Sequence, residues 1–173
     1  MALAIALLTV SDTRSLADDQ SGNLLQQRLE VAGHQLIERC MAPDNCYQIR
    51  SVVSRWIADK DLQVIITNGG TGLTGRDGTP EAVIPLLDKK IDGFGELFRV
   101  LSFETIGTSS LQSRCVAGVA NGTFIFVLPG SLDAVTTAWD RLIAAQLDLN
   151  TRPCNLVQLL PRLLEHLWQL HLL

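Results

Sequence analysis

The residues best suited to chemistry lie in Thr67-Asn68-Gly69-Gly70-Thr71-Gly72-Leu73-Thr74-Gly75-Arg76-Asp77-Gly78-Thr79-Pro80-Glu81-Ala82. Asn68, Gly69, Gly70 and Gly72 form a stretch with little side-chain bulk, and glycine admits positive φ and close approach of a ligand to the backbone. Before it, Leu62, Val64, Ile65 and Ile66 read as a short buried strand bounded by turn residues. After it, Thr79 is expected to cap a helix, with Pro80 at the first helical position. A strand, a glycine-rich loop and a helix N-terminus together make an anion site, because free N–H groups and the positive end of the helix dipole favour phosphate. The segment lacks the P-loop lysine and the spacing of the dinucleotide fingerprint, so a plain glycine-rich turn stays open as the alternative. Its length exceeds the ~2–6 residues of an ordinary strand-to-helix link, which favours a functional loop. Leu128-Pro129-Gly130-Ser131 is a second junction of this kind, with Ser131 as cap, and strengthens the expectation of an anionic ligand.

The elements that must position these residues can be read from the rest of the chain. Its 173 residues, 47% hydrophobic and 18% charged, suit one α/β domain with a substantial core and exclude a disordered chain. A net charge of −4 argues against nucleic-acid binding by bulk electrostatics and leaves a small anionic ligand open. Cys40, Cys46, Cys115 and Cys154 form no C-x-x-C pair and have no histidine at ligand spacing, so free thiols in a reducing cytoplasm are expected. Met1 to Val10 is apolar but has no basic start and no small-residue cleavage site, so a buried first strand is expected rather than a signal peptide. No stretch reaches membrane-spanning length, and no membrane partner is expected.

Leu3 to Thr9 reads as a central strand, followed by a polar segment, Ser11 to Gly22, at a strand end where open α/β sheets place ligands. A helix is expected over about Gly22–Ala32 with Leu24, Leu25, Leu29 and Val31 inward and Gly33 at its end, then a strand over His34–Met41 with His34 on the surface. Asn45 or Asp44 can cap the next helix, whose stripe is Ile49, Val52, Val53, Trp56 and Ile57. A short helix follows Pro80, carrying Ala82, Val83, Ile84, Leu86 and Leu87, with Lys89 and Lys90 near its end. Another helix spans about Phe94–Glu104 with Phe94, Leu97, Phe98, Leu101 and Phe103 as its apolar set. Cys115–Ala120 and Thr123–Leu128 flank Asn121-Gly122, a strong hairpin signal. A helix then carries Val135, Ala138, Trp139, Leu142, Ile143 and Leu147. The tail repeats leucine at Leu156, Leu159, Leu160, Leu163, Leu164, Leu167 and Leu170, a stripe suited to packing on the domain or on a neighbouring subunit. The expected fold is a three-layer α/β one: a mostly parallel central sheet, helices on both faces and a β-hairpin. Residues 1–155 form the domain and 156–173 a leucine-rich extension of it.

These motifs, taken in order, resemble the MogA/MoaB family of molybdenum-cofactor biosynthesis proteins. The resemblance covers about Leu3 to Asn155. It rests on Thr9-Val10-Ser11-Asp12 with Asp19 and Ser21-Gly22, on Gly69-Gly70-Thr71-Gly72 with Arg76 to Ala82, on Ser113-Arg114 with Ala117-Gly118, and on Leu128 to Ser131. Ser110-Leu111-Gln112-Ser113-Arg114 and Thr151-Arg152-Pro153-Cys154-Asn155 are similar to the protein B branch in particular. Asn68 stands where the family usually has glycine, and asparagine is the non-glycine residue expected to tolerate a left-handed turn there. Ser131-Leu132-Asp133 lacks a proline that other branches often carry.

The resemblance implies a molybdopterin-binding domain that assembles as a homotrimer or homohexamer and is able to dock other molybdenum-cofactor enzymes. It implies transfer of the adenylyl group of ATP to the molybdopterin phosphate, with Mg²⁺ and release of pyrophosphate; a non-catalytic molybdopterin carrier is the alternative. By this resemblance Asp44 and Asp77 are the catalytic and metal-binding residues. Ser11, Asp12, Ser21, Gly22, Gly69, Gly70, Thr71, Gly72, Thr79, Glu81, Ser113, Pro129, Gly130 and Ser131 are the ligand-binding ones. On pattern alone, Asp44 reads equally as a helix cap and Asp77 as a turn aspartate. Arg14, Arg76 and Arg114 are candidates to counter phosphate charge, against the ordinary alternative of surface arginines.

Overall fold

The computed structural model describes residues 1–165. Its strands are β1 (Ala4–Val10), β2 (Gln35–Ala42), β3 (Val64–Asn68), β4 (Lys89–Lys90), β5 (Val116–Ala120) and β6 (Thr123–Leu128). Its helices are α1 (Gln20–Val31), α2 (Cys46–Ile57), α3 (Thr79–Val83), α4 (Asp92–Ile106), α5 (Leu132–Ala138) and α6 (Ala144–Gln146), the last two joined by a π-helical turn over Trp139–Ile143. The strands form one sheet in the order β2-β1-β3-β6-β5-β4. β2, β1, β3 and β6 run parallel, while β5 pairs antiparallel with β6 and β4 antiparallel with β5.

The central strands are apolar on both faces because helices cover both. Alternate residues go to opposite sides: Ile5, Leu7, Val64, Ile66, Phe124 and Phe126 meet α1, α4 and α5 through Leu25, Leu29, Phe94, Phe98 and Val135. Ala6, Leu8, Ile65, Ile125 and Val127 meet α2 and α3 through Ile49, Val53, Trp56, Ala82 and Val83. This is the three-layer arrangement expected, mostly parallel with one hairpin. The hairpin turns at Asn121 (φ 46°) and Gly122 (φ 81°), the left-handed pair that matches the twist of adjoining strands.

Several local expectations are corrected. Lys89 and Lys90 do not end a helix: α3 stops at Val83, a 3-10 turn spans Ile84–Leu86, and the two lysines form the edge strand β4. On α4, Phe94 and Phe98 are buried, whereas Leu97 and Phe103 join Val100 and Ile106 on an exposed apolar face. Val31 points to solvent. His34 is half-buried: its Nδ1 accepts from the Leu3 amide (3.4 Å) and its ring meets Trp139 edge-on, and burial lowers its basicity. In the tail, a 3-10 turn over Val157–Arg162 lays Leu156, Val157, Leu160 and Leu163 on the α1/α4 side of the core, while Leu159 is exposed. Leu167 and Leu170 lie outside the described residues.

Candidate active site

The C-terminal ends of β1, β3 and β6 lie side by side, with Thr9 opposite Asn68 and Asn68 opposite Leu128. The chain leaves β1 toward β2 and then returns to the far side at β3, so the crossover direction reverses between β1 and β3. Open α/β sheets bind ligands outside the strand ends at such a reversal. The segments emerging there are the Ser11 loop, the glycine loop and the Pro129–Ser131 turn.

The glycines are required by contacts. Gly69 (φ 96°) and Gly70 (φ 63°) are both left-handed. A Cβ on Gly69 would lie 2.2 Å from the Val10 carbonyl oxygen, and one on Gly70 would lie 2.3 Å from Thr79 Oγ1 and 2.9 Å from Asp44 Oδ2. A Cβ on Gly72 would lie 2.5 Å from Asp77 Oδ2. The loop therefore runs pressed between the end of β1 and two carboxylates. A cavity of about 350 Å³ opens along it, lined by Ser11, Thr13, Arg14, Gly69 to Gly72, Asp77, Gly130 and Ser131 among others. A second cavity of about 310 Å³ shares Thr71, Gly72 and Ser131 with the first and is walled by Phe98, Ser102, Thr105, Gln112, Ser113, Pro129 and Asp133. The Ser113 hydroxyl oxygen is buried without a hydrogen-bond partner.

Asp77 is held by its own turn. Its Oδ2 accepts from the Thr74 hydroxyl (2.6 Å) and the Thr74 amide (2.9 Å). The Thr74 hydroxyl, against the opposing effect of burial, holds this carboxyl below its ordinary value, with the Thr74 and Gly72 amides and Arg114 adding to it. Asp44 follows β2; its amide donates to Asp12 Oδ1 (2.9 Å) and its Oδ1 accepts from the Gly78 amide (3.1 Å). Burial raises the Asp44 carboxyl, and the charges of Asp77 and Asp12 raise it further against the Gly78 amide and Arg114. The cap of α2 is Asn45, whose side chain accepts from the Tyr47 and Gln48 amides, which leaves Asp44 free to face the glycine loop.

Not every expected residue reaches the cavities. Thr79 is the first residue of α3 rather than its cap: its hydroxyl donates to the Gly69 carbonyl (2.9 Å) and its amide to that of Gly70 (2.9 Å), closing the neck of the loop. Glu81 is exposed and paired with Arg114. Asp12 is exposed and pairs with Arg76 at 3.5 Å. Ser21 and Gly22 are buried beneath the site.

They belong to a network that the sequence did not reveal. Asp19 is fully buried; its carboxylate accepts from the Thr9 hydroxyl (2.6 Å), the Gly22 amide (2.9 Å), Ser21 Oγ (3.2 Å) and Arg39 (2.9 Å). Asn68 completes it, donating to Thr9 Oγ1 (3.0 Å) and sharing with Asp19 the single proton of Ser21 Oγ (2.9 Å). Burial alone would raise the Asp19 carboxyl, but the Thr9, Gly22 and Arg39 contacts outweigh it and hold it below its ordinary value. Asn68 is thus the last residue of β3 and not a left-handed loop residue; the positive φ values begin at Gly69.

The sequence profile of the family described as "probable molybdopterin binding domain" matches residues 6–149. Molybdenum cofactor biosynthesis protein B of Escherichia coli (strain K12) is 56% identical over 151 residues, covering 87% of this chain and 89% of that one. The chain belongs to the MogA/MoaB family. Within it, the protein B branch is the near kin: the Halalkalibacterium halodurans protein of that name is 46% identical over 82% of this chain and 84% of its own. A crystal structure of molybdenum cofactor biosynthesis protein B superposes with TM-score 0.82 at 41% identity, over 85% of this chain and 92% of that chain. The tungsten cofactor synthesizing protein MoaB of Pyrococcus furiosus superposes at 0.72 with 32% identity, over 83% and 91%. This MogA/MoaB-family chain therefore carries a molybdopterin-binding domain of molybdenum-cofactor biosynthesis. Among the described residues, no helix is long and apolar enough to cross a membrane.

Proposed function

We propose that this chain is a molybdopterin adenylyltransferase. The observation that carries this reading is the convergence of Asp44 and Asp77, from turns after different strands, on Gly70 and Gly72 of one backbone-lined loop. A terminal phosphate oxygen of molybdopterin attacks the α-phosphorus of ATP; the bond from that phosphorus to the bridging oxygen breaks and pyrophosphate leaves. Such a step depends on alignment and charge neutralisation more than on a strong base. The first cavity, lined by Gly69 to Gly72 and by Arg14, suits the phosphates. The second, with its aromatic wall at Phe98 and the unpartnered Ser113 hydroxyl, suits the pterin. Thr71, Gly72 and Ser131 border both cavities, where the two substrates would meet.

Among the described residues, no group of three or more His, Cys, Asp or Glu side chains could hold a metal by itself. Two carboxylates with phosphate oxygens completing the shell fit Mg²⁺, which is commonly bound in that way. The raised Asp44 carboxyl, beside Asp77 and Asp12, fits a position that a cation would relieve. When bound, Mg²⁺ neutralises charge on the phosphates. A homotrimer or homohexamer is the proposed assembly, supported by the exposed apolar face of α4 (Leu97, Val100, Phe103, Ile106), and the cytoplasm is the proposed location.

The test is purified protein with molybdopterin, ATP and Mg²⁺, read as adenylylated molybdopterin and pyrophosphate. Asp77→Asn is expected to lose turnover while still binding molybdopterin. Undiminished turnover in that variant refutes the role given to Asp77. Bound molybdopterin without product from the wild type identifies a carrier instead.

A further inference from the structure

Arg114 lies at the entry to β5, far along the chain from the glycine loop, yet its guanidinium spans the loop's neck. Nε donates to the Thr71 carbonyl (3.1 Å) and Nη2 to the Asp77 carbonyl (2.9 Å), while Nη1 pairs with the Glu81 carboxylate on α3. Three parts of one structure, the start of the loop, its end and the helix after it, are thus tied to one rigid plane. All three nitrogens are engaged by the protein, and the side chain is only a quarter exposed. Arg114 lines neither of the two cavities, in contrast to Arg14, which lines the first.

We infer that Arg114 is a positioning residue: its fork fixes the separation of Thr71 and Asp77 and so holds the Asp77 carboxylate at the glycine loop. The catalytic part of this inference rests on the adenylyltransferase reading; the structural part does not. Lysine is a point charge on a flexible stem and lacks the planar fork, so it can keep the charge but not the three simultaneous bonds. This separates a clamp from a phosphate counter-charge, because only the second would survive Arg114→Lys.

Two measurements on Arg114→Lys and Arg114→Ala test it, each variant first checked for an intact thermal transition. Hydrogen exchange is read at the Asp77 and Gly78 amides, which bond to the Thr74 carbonyl and to Asp44. With the charge-assisted bonds to the loop gone, both variants are expected to exchange there at least about tenfold faster, with the β3 amides unchanged. In the adenylylation assay both variants are expected to lose about 100-fold in kcat, as a misplaced catalytic group does, with the KM values for ATP and molybdopterin within about threefold of wild type. Unchanged loop exchange, or kcat restored by lysine, overturns the clamp. A wild-type protein that makes no product defeats the adenylyltransferase reading alone, and the exchange data still decide whether Arg114 holds the loop.

Discussion

Gly70 gives the sharpest test of how the loop is built. Alanine there must either keep φ 63° or move the chain. Keeping it costs an L-residue about 1–2 kcal/mol in the left-handed region. The new methyl would also sit 2.3 Å from Thr79 Oγ1, well inside contact distance, so that hydroxyl must turn away from the Gly69 carbonyl it bonds at 2.9 Å. Loss of that buried bond adds about 1 kcal/mol. Together the two effects predict a destabilisation of about 2–3 kcal/mol. Asp44 Oδ2, 2.9 Å from the same methyl position, must shift as well, so turnover should fall with stability. Gly75→Ala is the control: a Cβ there meets nothing within 4 Å, and its φ is not left-handed. It should be neutral, or stabilising by about 0.4–1 kcal/mol through the unfolded chain. Urea unfolding of both variants, compared at a common m-value, supplies the measurement. If Gly70→Ala unfolds within about 0.5 kcal/mol of Gly75→Ala, the loop yields to a methyl freely and the argument from close contact is wrong.

The buried network beneath the site should be costly to break: Asp19→Asn leaves Arg39 without its carboxylate, with Asn23, Gln26 and the residue 19 carbonyl still accepting from it, and removing one member of a buried pair typically costs about 3–5 kcal/mol, readable in the same urea experiment. Its pH dependence has a fixed sign. The folded carboxyl of Asp19 is depressed, so its stabilisation is present above the unfolded value and is lost as pH falls through the folded one; acid titration of wild type against Asp19→Asn should show the gap between them closing at low pH. Asp44 has the opposite shift, so it stays protonated to a higher pH than an ordinary aspartate. Mg²⁺-dependent ATP binding should therefore weaken on acidification at a higher pH than an ordinary aspartate would give, and a binding titration of Asp44→Asn that keeps the same acid profile would remove Asp44 from the site.

The sheet was legible because its central strands are apolar runs closed by turn residues, and the hairpin because Asn121-Gly122 has one good use between two such runs. The edge strand β4 was not: it is two exposed lysines, too short for any periodicity, and its place is set by pairing with Gly118 and Val119. Lysines at a sheet edge also discourage further strand pairing, so their chemistry fits the strand as well as the helix end. On α4 the apolar residues occupy both faces, and no count of spacing can say that Phe98 is inside and Leu97 outside. Asn68 was misplaced by one residue in the opposite sense. Its kinship with a loop glycine suggested a turn, but its amide has partners on β1 and α1, 59 and 47 residues away in the chain, which keep it in the strand.

The two aspartates show why local pattern carried the site only part of the way. The Asp77 carboxylate is satisfied within its own turn by Thr74, three residues away, so its local setting follows from the segment that contains it, and only the tie of its carbonyl to Arg114 is distant. Asp44 reaches its place through the Gly78 amide, 34 residues distant, and the sequence around it is equally that of a helix cap until Asn45 is seen to do the capping. Their surroundings also divide the charge between them. Asp77 already has donors that favour its ionised form, whereas Asp44 sits half-buried against two like charges that the Gly78 amide and Arg114 do not fully offset. A cation shared by the pair in the proposed reaction would therefore change Asp44 more than Asp77, since a nearby opposite charge has most to offer the group whose charged form is least supported. Binding of Mg²⁺ with ATP should accordingly release protons as the pH approaches the raised Asp44 value, and the released fraction should disappear in Asp44→Asn but persist in Asp77→Asn.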